Sequence, residues 1–304
     1  MGPARTARDA PSAALVAELD RLLADVLHSV DEVLRWPHPS PESLHHLHRD
    51  MRRLGAGLGV WQRLLASRDR ELLRPLDARV RRLSRLVGRV RDRDIAIALL
   101  ERVDGKPYSR REARRLAQYR TRLRDDARTG RELLRAFLRA ERDAHLFDRV
   151  QDSFHVKPPA RRATGLPSLI AKSHDRNRER LEEAHRRARR RPTAARLHRL
   201  RIRVRGLRHL AEISTRVVPN STPGFTPALR KLQGDLGRLH DLDVVLDGLD
   251  REVRSTAWAE ALRRKRRRQR RRIAERLRDG PLLEVPPSAP ARPRGRAVSR
   301  PQES

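Results

Sequence analysis

The sequence predicts an all-α protein made of two four-helix bundles related by an internal repeat. Three observations carry this. Apolar residues recur at helical spacing through most of the chain, and no segment sustains the period-2 alternation of a strand. The stretch VRRLSRLVGRVRDRDIAIAL at 80–99 returns as RKLQGDLGRLHDLDVVLDGL at 230–249, with Gly88 over Gly237, Asp92 over Asp241 and Asp94 over Asp243 at a constant offset of 149. The basic segment LHRLRIRVRGLRHLA at 197–211 has a weaker copy, LHHLHRDMRRLGAGL, 153 positions earlier at 44–58.

The elements follow in order. Residues 1–11 read as a disordered start. From Ser12, an N-cap, Leu15, Leu19, Leu22, Leu23, Val26, Val30 and Val33 mark the first helix, stopped by Trp36-Pro-His-Pro-Ser-Pro41. Ser40-Pro41-Glu42 opens the second helix, with proline at its first position, running to about Leu65. A third begins near Arg68 or Pro75 and ends at Asp104-Gly105-Lys106-Pro107. A fourth segment, 109–153, is helical with a bend expected near Thr129-Gly130. Residues 156–166 are the linker between a first bundle at 12–155 and a second at 167–279. In the second half the expected helices are Pro167–Arg191, Thr193–Val218, Pro227 to about Val253, and about Thr256 to Arg278, and 280–304 read as a disordered Pro/Arg-rich tail.

Composition narrows function. Lys and Arg number 72 against 39 Asp and Glu, a net charge of +33 with a pI near 11.8, which attracts polyanions. The cations are almost all arginine, whose planar fork of donors fits phosphate. Aromatics are 3%, so the core rests on Leu, Val, Ile and Ala. The absence of cysteine removes disulfides, Cys-based zinc sites and a thiol nucleophile. No apolar run reaches membrane-spanning length and the N-terminus lacks a secretory h-region, so the expected location is the cytoplasm.

Wound at about 100° per residue, His198, Arg201, Arg205, Arg208 and His209 share one face of their helix, with Leu197, Leu200, Val204, Leu207 and Ala211 opposite. The cationic face meets no acid until Glu212. In the earlier copy His45, His48 and Arg52 correspond to His198, Arg201 and Arg205, and Arg49 and Arg53 add to the same basic face. Spacing of i, i+3 and i+7 puts donors about 5 Å apart along the axis, a step that suits a chain of equivalent phosphates. Arg82 and Lys231, matched by the 149 offset, are expected to complete the wall together with Arg91. The histidines, beside several arginines, are expected to be neutral until an anion arrives. His45, His46 and His48 lack further ligands, so no metal and no cofactor are expected. Asp92 and Asp94, like Asp241 and Asp243, diverge by about 200° on a helix and point to salt bridges rather than joint chelation. No phosphate loop, HExxH or Ser/His/Asp set can be placed, so a non-catalytic protein is expected. The run Arg263–Arg272, RRKRRRQRRR, is expected to be solvated all round and offers nucleic acid a non-specific contact.

Together these residues resemble the CHAD family, the conserved histidine α-helical domain: a His followed by Arg three and seven positions on, then a later Leu-Gly-x-Val-Arg-Asp-Leu-Asp-type stretch, twice over. Here the pieces are His198, Arg201 and Arg205; His45, His48 (where the family usually has Arg) and Arg52; LVGRVRDRD at 86–94; and DLGRLHDLD at 235–243. Gly55 stands where the second half has Arg208, and Gly206 where the first has Arg53. The resemblance implies a pair of helical bundles around a basic groove or pore, binding of inorganic polyphosphate, and association with polyphosphate granules.

Overall fold

The computed structural model describes residues 6–102, 109–156, 158–159, 165–218 and 227–278, and these are almost wholly helical. The helices are α1 (Thr6–Arg35), α2 (Pro41–Leu64), α3 (Ser67–Arg102), α4 (Arg110–Asp143), α5 (Leu146–Asp152), α6 (Leu166–Arg190), α7 (Ala194–Val217), α8 (Pro227–Asp247) and α9 (Ala257–Arg278), with a single 3₁₀ turn at Ser153–His155. No strand occurs among the described residues. The tail at 280–304 and most of the linker lie outside them.

Local chemistry explains the boundaries. Ser40 Oγ accepts from the Ser43 amide at 3.0 Å ahead of Pro41, and Thr193 Oγ1 accepts from the Arg196 amide at 3.3 Å. The two basic helices thus begin on equivalent hydroxyl caps. Arg135 of α4 donates to the carbonyls of Leu34 and Pro37, at 3.1 and 2.9 Å, satisfying the end of α1 where prolines stop it.

Three features differ from expectation. α1 starts at Thr6, ahead of Ser12. α3 begins at Ser67, beside the expected Arg68, and continues through Pro75, where Leu73 and Leu76 on either side pack against the core. α4 does not break at Thr129-Gly130, which stays helical beside Val90 of α3. The break comes at Ala144-His145, where His145 takes a left-handed φ of 52° and α5 starts. α8 stops at Asp247; the chain then turns, burying Leu249 and Val253, and Thr256 caps α9 by accepting from the Ala259 amide at 3.2 Å.

The buried residues form three clusters, and the halves share them. The largest holds α1 to α5 together with Leu166 and Ile170 of α6 and Leu210, Ile213 and Val217 of α7. Leu44, Leu47, Met51, Leu54 and Trp61 of α2 are at most 1% exposed there, each aliphatic chain contributing about 2 kcal/mol by burial. Trp61 Nε1 donates to the Ser153 carbonyl at 3.0 Å, so the ring is buried without losing its polar bond. The second cluster joins α6, α7, α8 and the end of α9. The third joins Ala96, Leu100 and Tyr119 of the first half to Leu242, Val245, Leu246, Trp258 and Leu262 of the second. The halves are therefore interlocked, with α7 serving the first two clusters and α3 meeting α8 directly.

α9 is tied down by Asp235 of α8, which is 2% exposed. Its carboxylate pairs with Arg276 and Arg238, and Gln269 Nε2 donates to its carbonyl and to Oδ1 at 3.1 and 3.2 Å. Arg266 also faces α8, 3.7 Å from Asp243, so the Arg263–Arg272 run is not solvated all round. Replacing Asp235 by Ala leaves a partly buried guanidinium unpaired; chemical denaturation should show a loss of about 3–5 kcal/mol, and a loss below 1 kcal/mol would mean the pairing does not hold α9.

Candidate functional site

The basic face of α7 turns inward against α2, α3 and α8. His48, half-buried on α2, feels Arg91 of α3 and Arg201 and Arg205 of α7; His240 of α8 feels the same three arginines. Three guanidinium groups from two helices therefore converge between two imidazoles from two others. The contacts in the two halves correspond. Arg91 Nε donates to His45 Nδ1 at 3.3 Å, and the His198 and His240 rings lie 5.4 Å apart. His240 is the residue that the 149 offset places over Arg91. His45 and His198 are exposed, so the cluster opens to solvent on that side. His48 Nε2 would lie only 3.3 Å from a Cβ at Gly88, so the glycine in α3 leaves this ring its space.

Arginines outnumber the acids at the cluster, and burial shapes the ionisation of both. Arg201 and Arg205 are half-buried, and among the described residues neither forms an ion pair within 4 Å. Burial depresses both below the ordinary arginine value; Asp241 and Asp92 oppose this at Arg201, while Arg205 has no such help. Burial and the neighbouring arginines push His48 and His240 down to about 4 and lower His45 as well. The carboxylates at the cluster are Asp92 and Asp241, both raised by burial against the pull of Arg91 and Arg201. Their neighbours two positions on leave the site: Asp94 pairs with Arg131 of α4 and Asp243 with Arg266 of α9, each held by the last long helix of its own half. Among the described residues no group of three or more His, Asp or Glu gathers in metal-binding geometry.

The expected site residues divide into two groups. His45, His48, Arg91, His198, Arg201 and Arg205 meet at the cluster, and half-buried Arg52 shares the α2 face of His45 and His48. The others do not. Arg53, Arg208 and His209 converge on Glu212, at 3.6, 2.6 and 3.5 Å. Burial would raise this carboxyl, but His209 and Arg208 hold it at about 2. Arg208 also reaches Gln233, and Arg53 reaches Asp25 at 3.7 Å, so this group joins α1, α2, α7 and α8. Arg49 is paired with Asp50 at 2.8 Å. Arg82 lies 5.3 Å over the Phe137 ring of α4. Arg82 precedes Arg91 by nine residues, and exposed Lys231 precedes His240 by nine; nine residues turn a helix through about 180°, so neither wall residue faces the cluster. His240 went unselected in the sequence although the repeat offset marks its position.

Comparison with known proteins bears on the family and the fold. The CHAD domain model matches residues 17–250, most of the chain. The chain belongs to the CHAD family. The CHAD domain crystal structure from the plant Ricinus communis superposes with a TM-score of 0.65 at 20% identity, covering 91% of this chain and 94% of that one. PptA from Streptomyces chartreusis superposes with a TM-score of 0.58 at 18% identity, covering 88% and 98%. No curated protein sequence matches the chain. No helix of this CHAD protein among the described residues is long and apolar enough to cross a membrane.

The depressed histidines make stability depend on pH. Unfolded, His48 and His240 titrate near 6.5; folded, near 4. The unfolded chain binds more protons between those values, so stability is full above about pH 6.5 and falls as pH drops toward 4. Thermal melts should show Tm declining from pH 7 to 4.5, with a shallower decline in a His48→Gln/His240→Gln variant. An unchanged slope in that variant would place the titrating groups elsewhere.

Proposed function

We propose that this CHAD protein binds inorganic polyphosphate at the junction of α2, α3, α7 and α8, without catalysing its breakdown. The observation that supports this most directly is the pair Arg201 and Arg205, half-buried and without an ion pair among the described residues. Water-deprived cations of this kind gain most from an anion that brings many acceptor oxygens. A polyphosphate chain offers them along its whole length and needs no base-reading groups, and the residues gathered at the cluster include no Phe, Tyr or Trp. The CHAD family is linked to polyphosphate and triphosphate, which fits. The second half carries more of the binding, since it places Arg201 and Arg205 where the first half places His48 and Arg52. Approach of the polyanion raises the pKa of His48 and His240, so they take up protons and become donors. Localisation at polyphosphate granules follows from this reading and is checked by imaging the tagged protein.

Two or three charge-assisted contacts are at stake, so Arg201→Ala/Arg205→Ala should weaken binding to long-chain polyphosphate by about a hundredfold while leaving the helical content intact. Arg208→Ala, whose partner is Glu212, should change affinity less than threefold. Affinity should rise from pH 8 to pH 6, with proton uptake visible in buffers of different ionisation enthalpy. Equal binding by Arg201→Ala/Arg205→Ala and the wild type would refute the site. Displacement by duplex DNA at equal phosphate concentration and physiological salt would favour a general nucleic-acid binder, and phosphate release in Mg²⁺ or Mn²⁺ would reveal an enzyme.

A further inference from the structure

α7 carries a second basic face. Arg196, Arg199 and Arg203 repeat the i, i+3, i+7 spacing of His198, Arg201 and Arg205, two positions back and therefore about 200° around the helix. That face turns away from the central cluster toward α6. Between the two helices lies a cleft of about 500 Å³, within the usual range of ligand sites, lined by Arg180, Arg186, Arg187, Arg196, Arg199 and Arg203 with Glu179, Glu183 and Ala184.

Its charges are unequally committed. Glu183 is taken up by Arg186 and Arg187. Arg196 donates to the Arg187 and Arg191 carbonyls at 3.1 and 3.4 Å, capping the end of α6. Arg180, Arg199 and Arg203 have no ion pair or hydrogen bond among the described residues. This face is also not shared between the halves. At the 153 offset the positions of Arg196, Arg199 and Arg203 are Ser43, His46 and Asp50, and Asp50 is buried, accepting from Ser29 at 2.8 Å. The arginines of the outer cleft therefore have no counterpart on the basic helix of the first half.

We propose that the α6–α7 cleft is a separate site for a short inorganic oligophosphate of the pyrophosphate-to-tripolyphosphate class. A half-open cleft of this size suits a compact anion better than a duplex. Among the described residues Ala184 is its only apolar lining residue and no aromatic lines it, so it offers a nucleotide base nothing to stack on. Three uncommitted guanidinium groups on two helices match the several terminal and bridging oxygens of such a chain.

Isothermal titration of the full chain with tripolyphosphate tests this independently of the central site. Arg180→Ala/Arg199→Ala/Arg203→Ala should remove one class of tripolyphosphate site, weakening it at least tenfold, while binding of long-chain polyphosphate stays within threefold and the circular dichroism is unchanged. Arg201→Ala/Arg205→Ala should keep the outer site. Arg199→Lys/Arg203→Lys, which keeps charge but loses the fork, should fall between. The proposal is overturned if the triple variant binds tripolyphosphate like wild type, if Arg201→Ala/Arg205→Ala abolishes all tripolyphosphate binding, or if a single-stranded oligonucleotide displaces it at equal phosphate concentration.

Discussion

Everything in this fold turns on what α7 must do with its 24 residues. Leu197, Leu200, Val204 and Leu207 anchor it in the core of its own half, and Leu210, Ile213 and Val217 anchor it in the core of the other. Only a helix held at both ends by apolar packing can keep Arg201 and Arg205 partly withdrawn from water without a carboxylate to pair with. The cost of desolvating those cations is borne by the surrounding burial, and in the proposed function it is what the polyanion relieves.

The acids show how the site keeps its charge. Thirty-nine acidic residues are enough to neutralise many arginines, yet they are placed so that neutralisation happens at the margins. Asp94 and Asp243 turn from the cluster to Arg131 and Arg266, and Glu212 gathers Arg53, Arg208 and His209 at one end of the row. Asp92 and Asp241 stay near Arg91 and Arg201, where burial makes them less willing to ionise. A single substitution in the sequence repeat illustrates the rule. Arg203 on the outer face of α7 corresponds to the buried Asp50 of α2, so the same helix surface is cationic in one half and part of the packed interior in the other.

Much was legible in the residues alone. The helices could be read because apolar spacing, proline breaks and hydroxyl caps are local, and Ser40-Pro41 and Thr193 act where they stand. The family could be read because its signature is a spacing on one helix face. His45, His48, His198, Arg201 and Arg205 followed from helical phase, which depends only on sequence position.

What the tertiary structure decided is partnership. Glu212 was visible as the first acid after a basic row, but only the packing of α2 against α7 brings Arg53 to it. His240 was in plain view, but its role depends on α8 lying against α3, a contact between residues some 150 positions apart. Arg82 and Lys231 matched by offset and by charge, yet nine residues of helix turn them away from the cluster, because a correspondence in sequence says nothing about which side of a helix is covered. The sequence determined which cations lie on a common face; the assembled helices determined which of them an acid had already claimed, since that depends on distances between segments that no local pattern encodes.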